Sequence, residues 1–381
     1  MRAASAEPAL RILREGGSIR GTYGVIANGK FSVLAQDIDQ VIIDETWYPI
    51  DLTSLTEGRQ HAHEYGAIEG PVSLGTLVKL RLAKQLSFHL VDEVASNEGL
   101  TEPRAVGKSL KRDGINATLY PYQADGIDFL NLIADQRIGC VLADEMGLGK
   151  TLQVIGMLVH LSSSQSYPIL IVAPASLLEN WRREISQFAP SLSARIHAGE
   201  NRAGTASALG SIGILITSYE TVVRDAALLS SYDWHAVVLD EAQAIKNPEA
   251  QRTRAVKDLN RRVSVAISGT PLENRLDDLW SVSDFCLPGI LGDLGHFRNS
   301  YSDEVVDAQR LGSALAPLIL RRRVADVASD LPEKIEIRQP INLTDGEAHD
   351  YAAVREQVIS EHGAAGALVA TTILRTFCAD P

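Results

Sequence analysis

Apolar and polar positions change texture along the chain. Between Gly21 and Leu52 they are strand-like. Phe31-Ser32-Val33-Leu34-Ala35 alternates, and Val41-Ile42-Ile43 precedes Trp47-Tyr48-Pro49-Ile50. This pattern predicts a small β-rich unit. From Leu74 to Phe88 the spacing turns helical, with apolar residues at Leu74, Leu77, Val78, Leu80, Leu82 and Leu86. The polar stretch from Glu98 to Asn116 reads as a linker. Residues 1–118 form one accessory region, either a substrate-specific domain or a packing brace.

From Leu119 short apolar runs recur, each followed by a helical pattern: Ile138–Ala143, Ile169–Ala173, Ile212–Ile216, Ala236–Leu239 and Val263–Ile267. Strands alternating with helices predict βαβ units, hence an α/β fold with a mostly parallel sheet and helices on both faces. Right-handed crossovers put the strand C-termini on one edge, where ligands bind. The lobe is expected over residues 119–335. Beyond Asp303 the chain reads as mostly helical. It carries Arg321-Arg322-Arg323, Asp330-Leu331-Pro332-Glu333-Lys334, a short strand, and a helical tail over 336–381.

Composition narrows the class. The 381 residues allow two or three domains. With 45% hydrophobic and 22% charged residues the chain can bury a large core and is not mainly disordered. No apolar run is long enough to cross a membrane, and the start lacks the apolar stretch of a signal peptide. A soluble, cytoplasmic protein is expected. Cys140, Cys286 and Cys378 are far apart and read as small apolar core residues. The net charge of −12 counts against broad, nonspecific nucleic-acid binding but leaves room for a local basic groove.

Two motifs carry chemistry. The run Ile138–Ala143 leads into Asp144-Glu145-Met146-Gly147-Leu148-Gly149-Lys150-Thr151, followed by a helix over Leu152–Leu161. Glycines let a backbone turn tightly and aim its N–H groups at phosphate oxygens, and the helix N-terminus adds positive dipole there. Lys150 would neutralise the β- and γ-phosphates of ATP, and the Thr151 hydroxyl would bind Mg2+. A strict phosphate loop has glycine where this chain has Asp144. The second motif, Asp240-Glu241-Ala242-Gln243, ends the run Val237-Val238-Leu239. Asp240 can hold Mg2+, and Glu241 can orient and deprotonate the attacking water. The backbone curls at a strand end, so both neighbours can reach the site.

Together these segments resemble the first RecA-like lobe of Snf2-type ATPases, within helicase superfamily 2. The resemblance covers residues 119–381. Leu119-Tyr120-Pro121-Tyr122-Gln123-Ala124-Asp125-Gly126 looks like the entry segment, Ala143–Thr151 like the family's phosphate loop, where Asp144 is normal. Ile171–Leu178 with Asn180-Trp181 and Glu184 resembles motif Ia. Thr217-Ser218-Tyr219-Glu220 resembles motif Ib. Asp240–Asn247 is similar to motif II, with Gln243 where the family usually has His. Ser268-Gly269-Thr270-Pro271-Leu272-Glu273-Asn274, then Leu279-Trp280-Ser281, looks like motif III. Leu320-Arg321-Arg322 with Asp330–Lys334 is similar to the segment closing the lobe, and Leu374-Arg375 with Cys378 and Pro381 to the start of a bridge to a second lobe.

The resemblance implies an ATP-hydrolysing translocase on duplex DNA that displaces a DNA-bound protein. Gln123 would read the adenine edge, and Met146 to Thr151 would hold the nucleotide. Gln243, Gly269 and Thr270 would couple hydrolysis to motion. Ser176, Ser218, Lys246 and Asn247 would touch the DNA backbone, which suits short polar side chains. Each has an alternative as a helix cap or turn former. Arg321–Arg323 would touch phosphate or cap a helix C-terminus. In the family a second lobe supplies arginines to the transferring phosphoryl group. No segment of these 381 residues reads as that lobe, so slow hydrolysis is expected. A strand-separating helicase, a small-molecule kinase and a nucleotide-binding interaction module stand as alternatives.

Overall fold

The computed structural model describes the chain except residues 1–4, 17, 35–37, 69, 95–110, 165–167, 203, 206–208, 210–212, 270–274, 328–343, 363–365 and 380–381. Contacts divide it into two compact units, residues 1–328 and 329–381.

In the first unit the N-terminal region is a small mixed domain. Strands β1 (Glu7–Glu15), β2 (Ser18–Ala27) and β3 (Lys30–Val33) form an antiparallel meander, and β6 (His89–Asp92) adds parallel to β1. Asn28 and Gly29 close the β2–β3 turn with φ of 50° and 74°. Two successive positive φ values match the right-handed twist of the flanking strands, which is why Asn-Gly suits a two-residue hairpin. A second hairpin joins β4 (Gln40–Ile43) to β5 (Thr46–Pro49). Helices α1 (Leu52–Glu64) and α2 (Leu74–Leu82) start at Asp51 and Ser73, whose side chains accept from backbone N–H groups of the first turn. The strand-like stretch thus resolves into β2 to β5, and the Leu74–Phe88 helix ends at Leu82. β1 and α1 went unread in the sequence. β1 buries Ala9, Leu10 and Ile12 among charged neighbours, which blurs its alternation.

The α/β lobe begins with α3 (Pro121–Asp135). Among the described residues, its sheet has seven parallel strands in the order β13-β7-β12-β11-β8-β10-β9. These are β7 (Gly139–Leu142), β8 (Ile169–Ala173), β9 (Ala194–His197), β10 (Ile214–Ser218), β11 (Trp234–Leu239), β12 (Arg261–Ile267) and β13 (Ile319–Leu320). The predicted runs at 138–143, 169–173, 212–216, 236–239 and 263–267 correspond to five of them. β8, β10 and β11 are buried at every position, as parallel strands covered on both faces must be. β9 and β13 were not predicted: one is an edge strand of four residues with only His197 fully buried, the other is two residues long.

The lobe's helices are α4 (Lys150–Ser164), α5 (Leu178–Phe188), α6 (Tyr219–Arg224), α7 (Ala226–Ser230), α8 (Gln251–Lys257), α9 (Leu276–Cys286), α10 (Leu294–Ser300), α11 (Val305–Leu315) and α12 (Val324–Val327). Cys140 and Cys286 are buried between β7 and α9, where the Cys286 thiol donates to the Cys140 carbonyl at 3.1 Å. Burial pushes the Cys286 thiol up to about 12. Cys378 is exposed, so the core reading fails for it.

In the second unit α13 (Asp345–His362) packs on α14 (Gly366–Ala379) through Val358, Ala370 and Leu374, with Tyr351 edge-on to Phe377. The linker at 98–116 lies largely outside the described residues, as does the short strand predicted after Lys334. No helix among the described residues is long and apolar enough to cross a membrane.

Candidate active site

The parallel topology carries the ends of β7, β8, β10, β11 and β12 to one edge of the sheet. A cavity of about 730 Å3 opens there. Its walls include Met146, Gly147, Gly149, Lys150 and Thr151 from the phosphate loop, Trp181 from α5, Asp240 and Glu241 from the end of β11, and Gly269 after β12. Residues remote in sequence thus share one wall.

Gly147 and Gly149 have φ of 92° and 73°, which glycine tolerates without strain. A side chain at Gly149 would also sit 2.5 Å from Gln123 Nε2. Leu148 is buried and outside the wall. Its carbonyl accepts from Gln123 Nε2 and Gln153 Nε2 at 3.4 and 3.2 Å. Gln123 is itself buried, and its Oε1 accepts the Tyr120 N–H at 3.1 Å. Here its carboxamide braces the loop from behind and does not line the cavity. Lys150 Nζ donates to the carbonyls of Asp144 and Glu145 at 2.7 and 3.2 Å. Burial lowers its ammonium below the ordinary value, against the pull of Asp144, Glu241 and Asp240.

Glu241 adopts a left-handed backbone, φ 51° and ψ 54°, a conformation uncommon for a residue with a side chain. That curl turns consecutive side chains toward one cavity. The Asp240 carboxylate is held at both oxygens: Trp181 Nε1 donates to Oδ2 at 2.8 Å and the Glu241 N–H to Oδ1 at 2.9 Å. Tyr219 donates its hydroxyl to the Asp240 carbonyl at 2.7 Å. Burial raises the Asp240 carboxyl above the usual carboxylate range. Desolvation is the first cause of both shifts, and the two groups partly offset it in each other. The bracing roles of Trp181 and Tyr219 were not read from the sequence. Their signal was a large aromatic residue in each of two otherwise polar segments.

Gln243 bridges two motifs. Its Nε2 donates to Glu241 Oε2 at 2.6 Å, and its Oε1 accepts from the Ser268 hydroxyl at 3.3 Å. A side chain on Gly269 would come within 3.1 Å of Met146 Cγ. Thr270 lies outside the described residues.

The candidate nucleic-acid residues are placed differently. Ser176 and Lys246 are exposed. Asn247 is exposed, and its Oδ1 accepts the Glu249 N–H at 2.9 Å, a turn-forming contact. Ser218 is buried, and its hydroxyl caps α6 by accepting the Thr221 N–H at 3.2 Å. Arg322 neither caps a helix nor faces solvent: its guanidinium pairs with Asp144 at 2.5 Å. The sequence reading, phosphate contact or a helix C-terminal cap for Arg321–Arg323, did not reach this pair, because pairing across 178 residues leaves no local pattern.

The SNF2-related domain family matches residues 122–381. The chain is 38% identical over 297 residues to YwqA of Bacillus subtilis, covering 74% of this chain and 31% of that protein. It is 36% identical over 262 residues to the ISWI chromatin-remodeling complex ATPase ISW2 of Saccharomyces cerevisiae, covering 65% and 23%. It thus spans a third or less of the length of these relatives. The SWI2/SNF2 ATPase core of Sulfolobus solfataricus, solved in complex with dsDNA, superposes with a TM-score of 0.54 at 33% identity, over 71% of this chain and 60% of that one. With the site built on the end of a parallel sheet and the family matched over most of its length, the chain belongs to the SNF2-related domain family, the Snf2 ATPase core.

Proposed function

We propose that the chain is the ATP-binding lobe of a DNA-dependent ATPase and translocase that remodels protein–DNA complexes. One observation carries the reading. Lys150 and Thr151 share a cavity wall with Asp240 and Glu241, although the two pairs lie about 90 residues apart in sequence.

The chemistry follows from these groups. Lys150 exchanges its loop carbonyls for the β- and γ-phosphate oxygens of ATP, and loop N–H groups and the start of α4 add positive potential. Glu241 accepts a proton from the attacking water as its oxygen bonds to the γ-phosphorus in line with the bridging oxygen, the bond from the γ-phosphorus to that oxygen breaks, and ADP leaves as inorganic phosphate forms. The donor set fits Mg2+: Thr151 and Asp240 both offer oxygen, and few protein oxygens plus phosphates and waters is how Mg2+ is usually held. When bound, Mg2+ supplies neutralisation of the phosphate charge. Trp181 and the Glu241 N–H hold the Asp240 carboxylate ready for it.

A test of that orienting role is Trp181→Phe, which keeps an aromatic ring and removes the donor. The Mg2+ concentration that tightens nucleotide binding is expected to rise by about 10–100-fold. Nucleotide titrations over a Mg2+ series read it; a response like that of wild type would show the contact to be idle.

Along the lining, the basic side chains are Lys150 and Arg183. Phosphoryl transfer at motor rates gains orders of magnitude from a further arginine aimed at the phosphoryl group. The 381-residue chain alone is therefore expected to bind ATP and turn it over slowly.

Duplex DNA is the proposed track. The relative from Sulfolobus solfataricus was solved on it, and Ser176, in the short 3-10 turn after β8, and Lys246, just past the 3-10 turn after β11, are both exposed. Contacts of this kind read backbone, not sequence. Anisotropy of a labelled duplex is expected to show salt-sensitive binding, and Lys246→Ala to lower the slope of log K against log salt by about 1. Absence of salt-dependent duplex binding would remove DNA from the reading and favour the interaction-module alternative.

A further inference from the structure

A strict phosphate loop places glycine at the position of Asp144. Here the carboxylate is fully buried, directly beneath the loop. A buried carboxylate is strongly unfavourable unless it is paired and hydrogen-bonded. Arg322 supplies the pairing from the segment after β13, the strand that lies beside β7. Its Nε donates to Oδ1 at 3.0 Å, its Nη2 to Oδ2 at 2.5 Å, and its own backbone N–H to Oδ1 at 3.0 Å. Gln153 Nε2 donates to Oδ2 at 3.2 Å.

The rest of the fork reaches other elements. Nη1 donates to the Tyr122 carbonyl and Nη2 to Gln153 Oε1 at 2.7 Å, while the guanidinium lies over the Tyr122 ring. One side chain therefore joins the start of α3, the loop after β7, α4 and the segment after β13. Gly126 on α3 makes the space: a Cβ there would fall 1.8 Å from Gln153 Oε1 and 2.8 Å from Arg322 Nη2. Backbone bonds run alongside, from the Ala143 N–H to the Leu320 carbonyl at 2.7 Å and from the Glu145 N–H to the Arg322 carbonyl at 2.9 Å. The Val324 N–H donates to Glu145 Oε2 at 2.7 Å.

The peptide groups fixed in this way are the ones that hold Lys150, through the carbonyls of Asp144 and Glu145. We infer that Arg322 is a positioning residue for the phosphate loop: acting through Asp144, it sets the loop backbone and hence the place of the Lys150 ammonium before nucleotide arrives. This rests on the nucleotide-binding reading above. It needs a bidentate, planar cation. Lysine, a point charge, neutralises Asp144 without reproducing the fork.

The test uses the full chain in three forms: Arg322→Gln, Arg322→Lys, and the double replacement Arg322→Met with Asp144→Leu. The double form removes both partners, which leaves no charge stranded and preserves the fold if Arg322→Gln loses it. Thermal melting reports folding, titration with fluorescent ADP reports the site, and hydrogen exchange at residues 143–151 without nucleotide reports the loop. In the folded variants ADP affinity is expected to fall by about 10–100-fold, with faster loop exchange. Folded Arg322→Lys and double variants that bind ADP and exchange like wild type would overturn the proposal. So would loss of fold in all three, which makes Arg322 a residue of fold stability alone. Failure of wild type to bind ADP removes the nucleotide reading and this proposal together; normal wild-type binding with unaffected variants removes only the proposal.

Discussion

Glu241→Gln is expected to cut ATP turnover by about 10²–10⁴-fold while leaving nucleotide affinity close to that of wild type. The argument is geometric. The side chain stands in the cavity wall beside Asp240, on a left-handed backbone that aims it there. Glutamine has the same shape and can still accept the Gln243 Nε2 hydrogen bond through its amide oxygen. What it loses is the capacity to take a proton from water. Since the chain alone is expected to turn over slowly, single-turnover measurement with protein in excess of labelled ATP is the suitable readout. A cleavage rate equal to wild type would assign the base elsewhere; a parallel collapse of affinity would make Glu241 a binding residue.

The site shows where a sequence stops being readable. Lys150, Thr151, Asp240 and Glu241 could be found because each belongs to a local pattern: apolar strand, turn, polar group, helix. The strand runs could be found because parallel strands buried on both faces leave continuous Val, Ile and Leu. Even so, β9 and β13 escaped, one for its edge exposure and the other for its two-residue length.

What braces the site was less legible for a single reason. Trp181 meets Asp240 across 59 residues, Tyr219 meets it across 21, and Arg322 meets Asp144 across 178. Such pairs are set by which strand lies beside which, and spacing carries no trace of that order. Gln123 has the same lesson in reverse. Its motif points to the nucleotide, yet in this conformation both ends of its carboxamide serve the Tyr120 N–H and the Leu148 carbonyl. In this conformation the entry segment meets the phosphate loop through the Leu148 carbonyl.

The remaining large effect is that of Lys150→Ala. Loss of the ammonium is expected to weaken ATP and ADP binding by about 1.5–3 kcal/mol, roughly 10- to 150-fold, the range for hydrogen bonds to a charged group. Two features argue for the whole of that range. Burial holds the ammonium below its ordinary pKa, so the charge lacks solvation that a phosphate would restore. Its present partners are neutral carbonyls, whereas phosphate oxygens are anionic and make stronger bonds. The substitution also leaves the Asp144 and Glu145 carbonyls without their lysine, so a thermal melt must accompany the titration to confirm that the variant is folded. A folded Lys150→Ala that binds Mg2+-nucleotide as wild type does would show that the loop is not a phosphate site. The observed loss, compared with that of the Arg322 variants, would then separate the group that touches phosphate from the one that places it. Lys150→Ala should weaken binding without loosening the amides of residues 143–151, and Arg322→Lys should do both.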